Sequence, residues 1–395
     1  MINITNEKNC CGCAACKAVC PKKCIEMKTA TLGAVVPVVD PDMCIDCKMC
    51  EKVCPMLNDT SDNQSSQKDT YAAYSKDASI RYRGSSGGIF GTFAHRIVED
   101  NYIIYGAAFD ADLKLKCTCA DSEEKIAPLT KSKYLQSDLS EKYSEIKEKL
   151  ENGKKIMFVS TPCQVAALKR YLNRDYDNLI TVDFFCHGVP SQDFFDKCRD
   201  NYEKKKNVKI IGFEFRSKIK HGRTPHYYTL TYLNMTKIEN ETRLYFDFPF
   251  YAAFQKYINL RESCYECRFS SKRRYLDITI GDFHDIDNYV KDINRFEGVS
   301  TVIINTEKGK GLWEMCKDMV VSYPIDLQQL IDDKVCFQGG TKRPSGRDDF
   351  ICAYNNLPFD AFVEIFLNSR AYRKQRLYYS MPKSLRKIIK KLMKV

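Results

Sequence analysis

The cysteines near the N terminus repeat one spacing. The two copies read Cys10-x2-Cys13-x2-Cys16-x3-Cys20-Pro21 and Cys44-x2-Cys47-x2-Cys50-x3-Cys54-Pro55. Three thiolates of such a copy bind one [4Fe–4S] cluster, and the fourth cysteine, placed by the proline, binds the cluster of the other copy. The spacing therefore predicts two clusters, one held by Cys10, Cys13, Cys16 and Cys54 and the other by Cys44, Cys47, Cys50 and Cys20.

Paired CxxC steps also occur in disulfide-bonded domains and in zinc sites. Zinc needs four ligands per ion and no further CxxC step, so the two copies with the same Cys-Pro ending favour clusters. Residues 1–57 thus resemble a two-cluster bacterial ferredoxin domain. Cys11 and Cys24 fall outside the spacing and are interpreted as packing or incidental thiols.

The chain has 20 cysteines among 395 residues. Secreted proteins with many disulfides are small, and this chain begins without the apolar segment of a secretory signal, so we expect a reducing, cytoplasmic compartment. The 44% of hydrophobic residues suffice for the cores of two or three domains. No run approaches the roughly 18 consecutive apolar residues of a membrane-spanning helix, so we expect no integral membrane segment.

The net charge of +11 is concentrated in residues 365–395, which hold ten Lys or Arg and no Asp or Glu. After Pro382, apolar residues recur on one helical face: Leu385, Ile388, Ile389, Leu392 and Met393. A basic amphipathic helix of this kind binds an anionic membrane surface or an acidic partner. A frayed, solvated terminus is equally compatible with a segment of roughly 13 residues. Because no basic surface with interleaved aromatic residues appears elsewhere, we expect no nucleic-acid partner.

Residues 58–70 contain no apolar residue and predict a polar linker. The linker separates the ferredoxin-type domain, 1–57, from a larger domain. We divide the rest of the chain into an N-terminal part, 71–150, a C-terminal part, 151–330, and a C-terminal region, 331–395.

Two strand–turn–helix units follow one another in the C-terminal part. Strands are predicted at 155–159 and 179–185, and helices at 165–172 and 191–205. Successive units of this kind indicate a parallel sheet covered by helices. Ligands of such sheets lie beyond the carboxyl ends of the strands, which is where Cys163 and Cys186 fall.

Cys264 and Cys267 form a third CxxC step, ahead of a strand predicted at 276–280. Alone, the step is compatible with a zinc half-site, a redox dithiol or chance. With Cys163 and Cys186 it supplies the four thiolates of a third [4Fe–4S] cluster, which we favour because eight cysteines already indicate iron–sulfur chemistry. In the competing interpretation, Cys163 is a nucleophile at a helix N terminus with His187 as its base. The other cysteines are interpreted as ordinary thiols: Cys117, Cys119, Cys198, Cys316, Cys336 and Cys352.

Small residues fill the segment Arg83-Gly84-Ser85-Ser86-Gly87-Gly88, between a strand predicted at 71–74 and a helix predicted at 89–100. In such a loop, backbone N–H groups and serine hydroxyls bind an anion such as a phosphate. The segment matches neither G-x-G-x-x-G nor the P-loop, so a plain flexible turn is the alternative.

Six segments occur in an order that resembles the beta subunit of coenzyme F420-reducing hydrogenase and its relatives. They are RGSSGGIF (83–90), SKYLQS (132–137), TPCQ (161–164), CHGVP (186–190), CYEC (264–267) and DITIGDF (277–283). The resemblance extends from about Tyr71 to Trp313. It implies an α+β protein in which a dicluster ferredoxin-like domain is followed by an α/β flavin-binding domain that carries FAD and a [4Fe–4S] cluster.

By position, the resemblance assigns residues to both cofactors. The implied FAD contacts are Ser85, Ser86, Gly87, Gly88, Ser132, Lys133, Tyr134, Gln136, Asp282 and Phe283, and the implied cluster ligands are Cys163, Cys186, Cys264 and Cys267. Relatives continue Gly-Asp-Phe with Trp-Gly, whereas this chain continues with His284-Asp285, so the use of F420 stays open. His284 is interpreted as a core or surface histidine, and no catalytic residue is assigned.

The resemblance implies an oxidoreductase that depends on FAD and [4Fe–4S] clusters. It would pass electrons between the ferredoxin-type clusters and FAD, for the two-electron reduction or oxidation of a small molecule or an F420-like deazaflavin. The expected partner is a redox protein, either a ferredoxin or a larger complex. One alternative is an electron-transfer subunit without a substrate of its own. Another is a reductase step in surface polysaccharide biosynthesis, with peripheral contact between the basic tail and an anionic membrane.

Overall fold

A computed structural model describes most of the chain. It covers residues 2–3, 6–58, 69–218, 226–272, 274, 276–284, 286, 289–291, 293, 297–333, 337, 339–367, 369–382 and 385–386. Most of the predicted linker, Cys336 and the apolar face of the basic tail beyond Leu385 lie outside these residues. Among the helices in the described ranges, none is both long and apolar enough to cross a membrane.

Strands and helices alternate along the described residues. The strands are β1 (Ile25–Thr29), β2 (Val35–Val39), β3 (Thr70–Ser75), β4 (Tyr102–Phe109), β5 (Leu115–Ala120), β6 (Lys155–Val159), β7 (Leu179–Phe184), β8 (Lys209–Ser217), β9 (Tyr227–Asn234), β10 (Lys237–Leu244), β11 (Ile278–Asp282), β12 (Ser300–Ile304) and β13 (Val320–Pro324). The α-helices are α1 (Ala15–Val19), α2 (Met49–Lys52), α3 (Ala78–Arg83), α4 (Ile89–Val98), α5 (Lys142–Glu151), α6 (Pro162–Leu172), α7 (Gln192–Lys206), α8 (Pro249–Gln255), α9 (Glu262–Tyr265), α10 (Glu307–Cys316), α11 (Leu327–Asp333), α12 (Arg347–Asn356), α13 (Phe359–Leu367) and α14 (Arg370–Ser380).

The N-terminal segment folds as two matching halves. In each half a CxxC step leads into a short helix, α1 after Cys13 and α2 after Cys47. The residue before each helix, Ala14 or Lys48, has a left-handed backbone, with φ of 61° and 58°, which is uncommon for a residue that carries a Cβ. Strands β1 and β2 pair antiparallel between the halves. The repeated spacing therefore produces a repeated backbone conformation.

Eight strands form one sheet in the order β13-β3-β12-β11-β7-β6-β4-β5. Strands β4, β6, β7 and β11 run parallel at its centre, and the flanking strands pair antiparallel. The parallel pairing predicted for the strands near residues 155 and 179 is confirmed. Because β4 pairs with β6, one sheet joins the two parts of the chain that the sequence analysis divided at residue 150.

A second, antiparallel sheet of β8, β9 and β10 was not predicted. Aromatic side chains from β8, β9 and α7 pack beside it. The ring of Phe213 lies 5.2 Å from that of Phe195 and 5.5 Å from that of Tyr228. Leu115 of β5 lies in the same buried cluster as these rings, so the cluster joins the second sheet to the larger one.

Local signals set the starts of the helices that follow β6 and β7. Helix α6 begins with Pro162, at a position where a missing N–H group leaves no helical hydrogen bond unmade. Ser191 caps α7, because its hydroxyl accepts a hydrogen bond of 3.1 Å from the N–H group of Phe194. Helix α6 therefore starts just beyond β6, with Cys163 in its first turn, whereas Cys186 lies in the loop that joins β7 to α7.

The N-terminal segment packs on α5 and α6. Cys11, Cys13 and Ala15 share one buried apolar cluster with Tyr143. The Tyr143 hydroxyl donates a hydrogen bond of 2.8 Å to the carbonyl oxygen of Cys13. On the rim of this contact, the Arg170 guanidinium donates to the carbonyl oxygen of Lys52 at 2.9 Å. The ferredoxin-type segment is thus seated on the larger domain.

Glu145 ties α5 to the sheet and predicts a pH dependence of stability. Its carboxylate accepts hydrogen bonds from Tyr105, Lys142 and Lys149 at 2.6, 2.6 and 2.8 Å. Burial alone would raise the pKa of Glu145, but these donors lower it to about 2. A lowered carboxyl pKa contributes stability that is present above the ordinary value of 4.5 and is lost as the pH falls towards 2.

We therefore expect Glu145→Gln to lose stability at neutral pH and to approach the wild type as the pH falls. Thermal unfolding of both proteins from about pH 7 to about pH 3 measures this convergence. Glu148→Gln, on the exposed face of the same helix, is the control and should keep the wild-type profile. A constant difference between wild type and Glu145→Gln at every pH would contradict the prediction.

Candidate functional site

The structure brings Cys10, Cys13, Cys16 and Cys54 together. Burial, with smaller contributions from the neighbouring thiols of Cys13 and Cys10, raises the pKa of Cys54 to about 11. Burial also raises the pKa of Cys16, with added contributions from the other three thiols of this group. These mutual effects require short separations in a buried space. We call these four residues the inner N-terminal quartet.

Cys20, Cys44, Cys47 and Cys50 line a small cavity at the outer end of the N-terminal segment. We call them the outer N-terminal quartet. Cys24 lines the same cavity, and its sulfur lies 3.4 Å from that of Cys20. Because Cys24 lies outside the repeated spacing, the sequence predicted only a packing or incidental thiol there. Its approach to Cys20 depends on the turn at Pro21, which spacing does not reveal.

Cys163, Cys186, Cys264 and Cys267 also lie together, and we call them the third quartet. Burial raises the pKa of Cys186, and the thiols of the other three raise it further. Gly188 permits this approach: its φ is +114°, and a Cβ there would lie 2.9 Å from the Cβ of Cys264. Three separate segments, which are the start of α6, the loop after β7 and the region of α9, therefore converge on one place.

Cys11 connects the inner N-terminal quartet with the third quartet. Cys11 and Cys13 lie in one buried cluster, and Cys163 packs against it. The thiols of Cys13 and Cys163, together with burial, raise the pKa of Cys11. Cys11 in turn, with contributions from Thr161 and Arg261, lowers the pKa of Cys163 to about 7 against the effect of burial. Sequence spacing gave no signal for this contact, which joins residues that are far apart in the chain.

A cavity of about 740 Å³ opens beside the third quartet, with Cys186 and His187 in its wall. Its other walls come from residues 80–91, from residues 127–137 and from the ends of β6, β7 and β11. Eight of the ten residues implied as FAD contacts line it: Ser85, Ser86, Gly88, Ser132, Lys133, Tyr134, Asp282 and Phe283. The large cavity and the third quartet are therefore neighbours.

Gly87 and Gln136 do not line the cavity. A Cβ on Gly87 would lie 2.4 Å from the carbonyl oxygen of Ala73, so this glycine allows the loop to approach β3. The Gln136 amide turns instead to the N-terminal segment and donates to the carbonyl oxygens of Cys11 and Gly12 at 2.7 and 2.9 Å. The physical reason is that these carbonyls need donors where the two parts of the chain meet.

The serine–glycine loop before α4 is held by backbone contacts. The Ser85 hydroxyl accepts from the N–H group of Ser132 at 2.7 Å, and the Ser86 hydroxyl donates to the carbonyl oxygen of Val299 at 2.7 Å. Beneath the loop, the Lys218 ammonium donates to the carbonyl oxygens of Arg81, Ser86 and Glu297 at 2.7, 2.8 and 2.9 Å. Burial lowers the pKa of Lys218 to about 7. The serine hydroxyls thus shape the loop.

A buried ion pair forms part of the cavity wall. The Arg216 guanidinium lies 2.6 Å from the carboxylate of Asp282, and their side chains are 5% and 17% exposed. Burial alone would lower the pKa of Arg216, but Asp282 raises it. A register shift between Phe215 and Ser217 marks a bulge in β8 at Arg216, and such bulges redirect side chains. The sequence analysis missed Arg216 because it did not predict β8.

Aromatic and basic residues complete the wall near Tyr134. Its ring stacks on that of Phe254, with centroids 4.2 Å apart. The Lys133 ammonium donates to the carbonyl oxygens of Pro128 and Thr130, and burial lowers its pKa to about 7. His284 also lines the cavity, and one ring nitrogen lies 3.9 Å from the Asp282 carboxylate.

Residues 153–326 match the sequence profile for the C terminus of the coenzyme F420 hydrogenase/dehydrogenase beta subunit. This part of the chain is similar to that family. Residues 36–58 match the profile of a 4Fe-4S binding domain. The chain therefore combines a ferredoxin-type iron–sulfur segment with a region of an oxidoreductase family.

Two known proteins resemble parts of this chain. A 7Fe ferredoxin of Hydrogenibacillus schlegelii is 46% identical over 43 residues, which are 11% of this chain and about half, 49%, of the ferredoxin. A chain in the F420-reducing [NiFe] hydrogenase complex of Methanosarcina barkeri superposes with a TM-score of 0.43 at 18% identity, over 70% of this chain and 89% of that chain.

Proposed function

We propose that this iron–sulfur protein passes electrons between [4Fe–4S] clusters and FAD bound in the large cavity, for the two-electron oxidation or reduction of a small molecule. The observation that carries the proposal is the order of the sites. The inner N-terminal quartet meets the third quartet through Cys11, and the third quartet borders the cavity. Cys16 and Cys54 of the inner quartet share a buried cluster with Cys50 of the outer quartet. Electrons that enter at the outer quartet would therefore have a continuous series of sites.

The three quartets fit [4Fe–4S] clusters as ligand sets. In such a cluster each cysteine binds a different iron, so four thiols surround a common space. The outer quartet lines a cavity of this kind. In each of the other two quartets, three thiols lie near enough to the fourth to raise its pKa, as at Cys16 and Cys186. In the described ranges, no three Cys, His, Asp or Glu side chains converge on a position for a single metal ion. We assign one cluster to each quartet.

The cavity suits a flavin dinucleotide by volume and by lining. Sites for organic ligands occupy about 300–1,000 Å³, and this cavity has 740 Å³. The serine–glycine loop presents the N terminus of the ten-residue helix α4, which suits a phosphate. Tyr134 and Phe254 offer an aromatic wall, and the pair of Arg216 and Asp282 fixes the adjacent backbone. When bound, FAD exchanges electrons singly with clusters and in pairs with organic molecules.

His284 stands where the resemblance to the family implies a tryptophan, so we propose that the substrate side of the cavity differs there. This side chain is 57% exposed and lies at the cavity wall beside Asp282. A small molecule or an F420-like deazaflavin is the substrate class of the proposal, and a ferredoxin or a larger redox complex is the electron partner.

The composition of the anaerobically purified protein tests this proposal. Three [4Fe–4S] clusters and one flavin predict about twelve irons, about twelve sulfides and about one FAD per chain. About eight irons would remove the third cluster, and a chain without flavin would remove the proposed enzyme. Reconstitution with iron, sulfide and FAD before the assay excludes loss of cofactors during purification.

The family of residues 153–326 favours a second candidate, because its members are described as beta subunits. In this alternative the chain is an electron-transfer subunit that has no substrate of its own. An assay with a viologen dye distinguishes the two. Turnover of a small-molecule donor or acceptor by the free chain supports the enzyme, and activity only after a partner protein is added supports the subunit.

A further inference from the structure

Arg261 lies at the junction of the two parts of the chain, directly before α9 and its CxxC step. Its side chain is 4% exposed. The guanidinium donates to the carbonyl oxygen of Cys10 at 2.8 Å, to the Gln136 amide oxygen at 3.1 Å and to the carbonyl oxygen of Val35. One side chain therefore binds both halves of the N-terminal segment and the larger domain.

The backbone of Arg261 is hydrogen-bonded to two segments that carry cysteines of the third quartet. Its N–H group donates to the carbonyl oxygen of Val189 at 3.0 Å, and its carbonyl oxygen accepts from the N–H group of Cys264 at 3.0 Å. Val189 follows Cys186 by three residues, so both bonds hold loops that carry cysteines of this quartet. Arg261 is thus attached to the third quartet through its backbone and to the inner N-terminal quartet through its guanidinium.

The positive charge of Arg261 has only neutral acceptors among the described residues. The guanidinium donates hydrogen bonds to two backbone carbonyl oxygens and one amide oxygen. Within the described ranges it forms no ion pair with a carboxylate. A buried guanidinium without a counter-charge is costly. The guanidinium lies 2.8 Å from the carbonyl oxygen of Cys10, and the N–H group of Cys264 donates to the carbonyl oxygen of Arg261 at 3.0 Å. The nearby groups that can carry negative charge are therefore the cysteines of the two quartets.

Gly12 shows how closely the N-terminal segment fits this guanidinium. A Cβ on Gly12 would lie 2.5 Å from Nη1 of Arg261 and 2.8 Å from Nε2 of Gln136. The φ of Gly12 is +66°, a conformation that also favours glycine. The loop between Cys10 and Cys13 therefore packs directly on the charged group, with no space for a side chain between them.

We propose that Arg261 is the shared counter-charge of the inner N-terminal cluster and the third cluster, and that it raises the reduction potentials of both. The inference rests on the proposed clusters at these quartets. A cluster gains one negative charge when it is reduced, and a buried cation stabilises that charge strongly where the dielectric constant is low. Arg261 is a positioning residue, because it sets the potentials and holds the two ligand loops together without binding iron.

Reduction potentials of the full chain, measured by an EPR-monitored redox titration without oxygen, test the proposal. In Arg261→Gln, we expect the potentials of the inner and third clusters to become more negative. A tenfold weaker reduction of each cluster corresponds to a shift of about 59 mV. Among the described residues, Arg261 forms no hydrogen bond with a cysteine of the outer quartet. The potential of the outer cluster should therefore stay unchanged and serves as an internal reference.

Arg261→Lys separates charge from shape. It keeps the positive charge but loses the planar group that joins Cys10, Gln136 and Val35, so we expect potentials near those of the wild type. Arg170→Gln is the matched control, because Arg170 also donates to a carbonyl of the N-terminal segment, that of Lys52, but from the rim. It should shift no potential.

The outcomes separate this inference from the proposed function. A wild-type chain with fewer than about twelve irons contradicts the proposed clusters themselves. Arg261→Gln with its full iron content and wild-type potentials overturns only the role of Arg261, as does an equal shift in the Lys and Gln variants. Loss of iron from Arg261→Gln, with full iron and wild-type potentials in Arg261→Lys, supports the shared counter-charge.

Discussion

Cys163→Ser is expected to lose about four of about twelve irons and to stop electron transfer from the N-terminal clusters to the flavin. Cys163 lies in the first turn of α6, and its thiol lies near those of Cys11 and of the other members of the third quartet. A serine hydroxyl is a poor ligand for iron, so the third cluster should not assemble. Cys267→Ser, from another loop of the same quartet, should give the same result.

The two N-terminal clusters should survive in both variants, because their eight cysteines lie in a separate segment. Iron and sulfide analysis measures the loss, and EPR spectra of the reduced protein show which clusters remain. Reduction of the flavin by a reduced viologen, compared with reduction by a reduced ferredoxin, locates the break. Cys352→Ser is the control, since Cys352 is exposed on α12 and outside all three quartets. Unchanged iron content and turnover in Cys163→Ser would exclude the third cluster.

The sequence predicted those parts of the site that depend on local spacing. The repeated Cys-x2-Cys step sets a repeated turn, in which the residue before α1 and the residue before α2 both have a left-handed backbone conformation. The thiols near each turn therefore have defined positions. The strands near residues 155 and 179 were recognised from apolar runs. The turns after them locate Cys163 and Cys186 beyond the carboxyl ends of two neighbouring parallel strands. In both cases the determining interactions lie within a few residues.

The remaining parts depend on contacts between distant segments. The orientation of Gln136 is set by carbonyls of Cys11 and Gly12, more than a hundred residues earlier. The burial of Arg216 depends on a bulge in a sheet that the sequence pattern did not reveal. The meeting of Cys11 with Cys163 requires the N-terminal segment to pack on α6. No periodicity or motif within one segment carries this information.

The junction holds two of the proposed cluster sites in fixed positions relative to one another. Tyr143, Gln136 and Arg261 each donate a hydrogen bond to a backbone carbonyl between Cys10 and Cys13. These bonds fix the inner N-terminal quartet against the third quartet. The electron path of the proposed function therefore lies within one folded chain, and the outer quartet is the part that a redox partner would approach.

Asp282→Ala is expected to destabilise the protein by about 3–5 kcal/mol, because it leaves the guanidinium of Arg216 buried without its counter-charge. Arg216 is 5% exposed, and its bond of 2.6 Å to Asp282 joins β8 to the end of β11. Urea unfolding of the wild type and the variant measures the difference. Asp282→Asn keeps an acceptor oxygen but not the charge, so we expect a smaller loss. Asp121→Ala is the control, because its pair with Lys125 is exposed and such pairs contribute little.

The same substitution tests whether this ion pair supports the cavity. Arg216 and Asp282 both line the cavity. Tyr134 lies near enough to Arg216 that the guanidinium acts to lower the pKa of Tyr134, and Tyr134 acts to raise the pKa of Arg216. Without Asp282, the guanidinium must move towards solvent or towards the cavity, and either movement changes the wall that we assign to FAD. Asp282→Ala should therefore lose flavin during gel filtration. It should keep its iron, because neither Arg216 nor Asp282 is a proposed cluster ligand. Full flavin retention together with wild-type stability would contradict both roles, whereas reduced stability with full flavin would leave the pair as a contact between β8 and β11 alone.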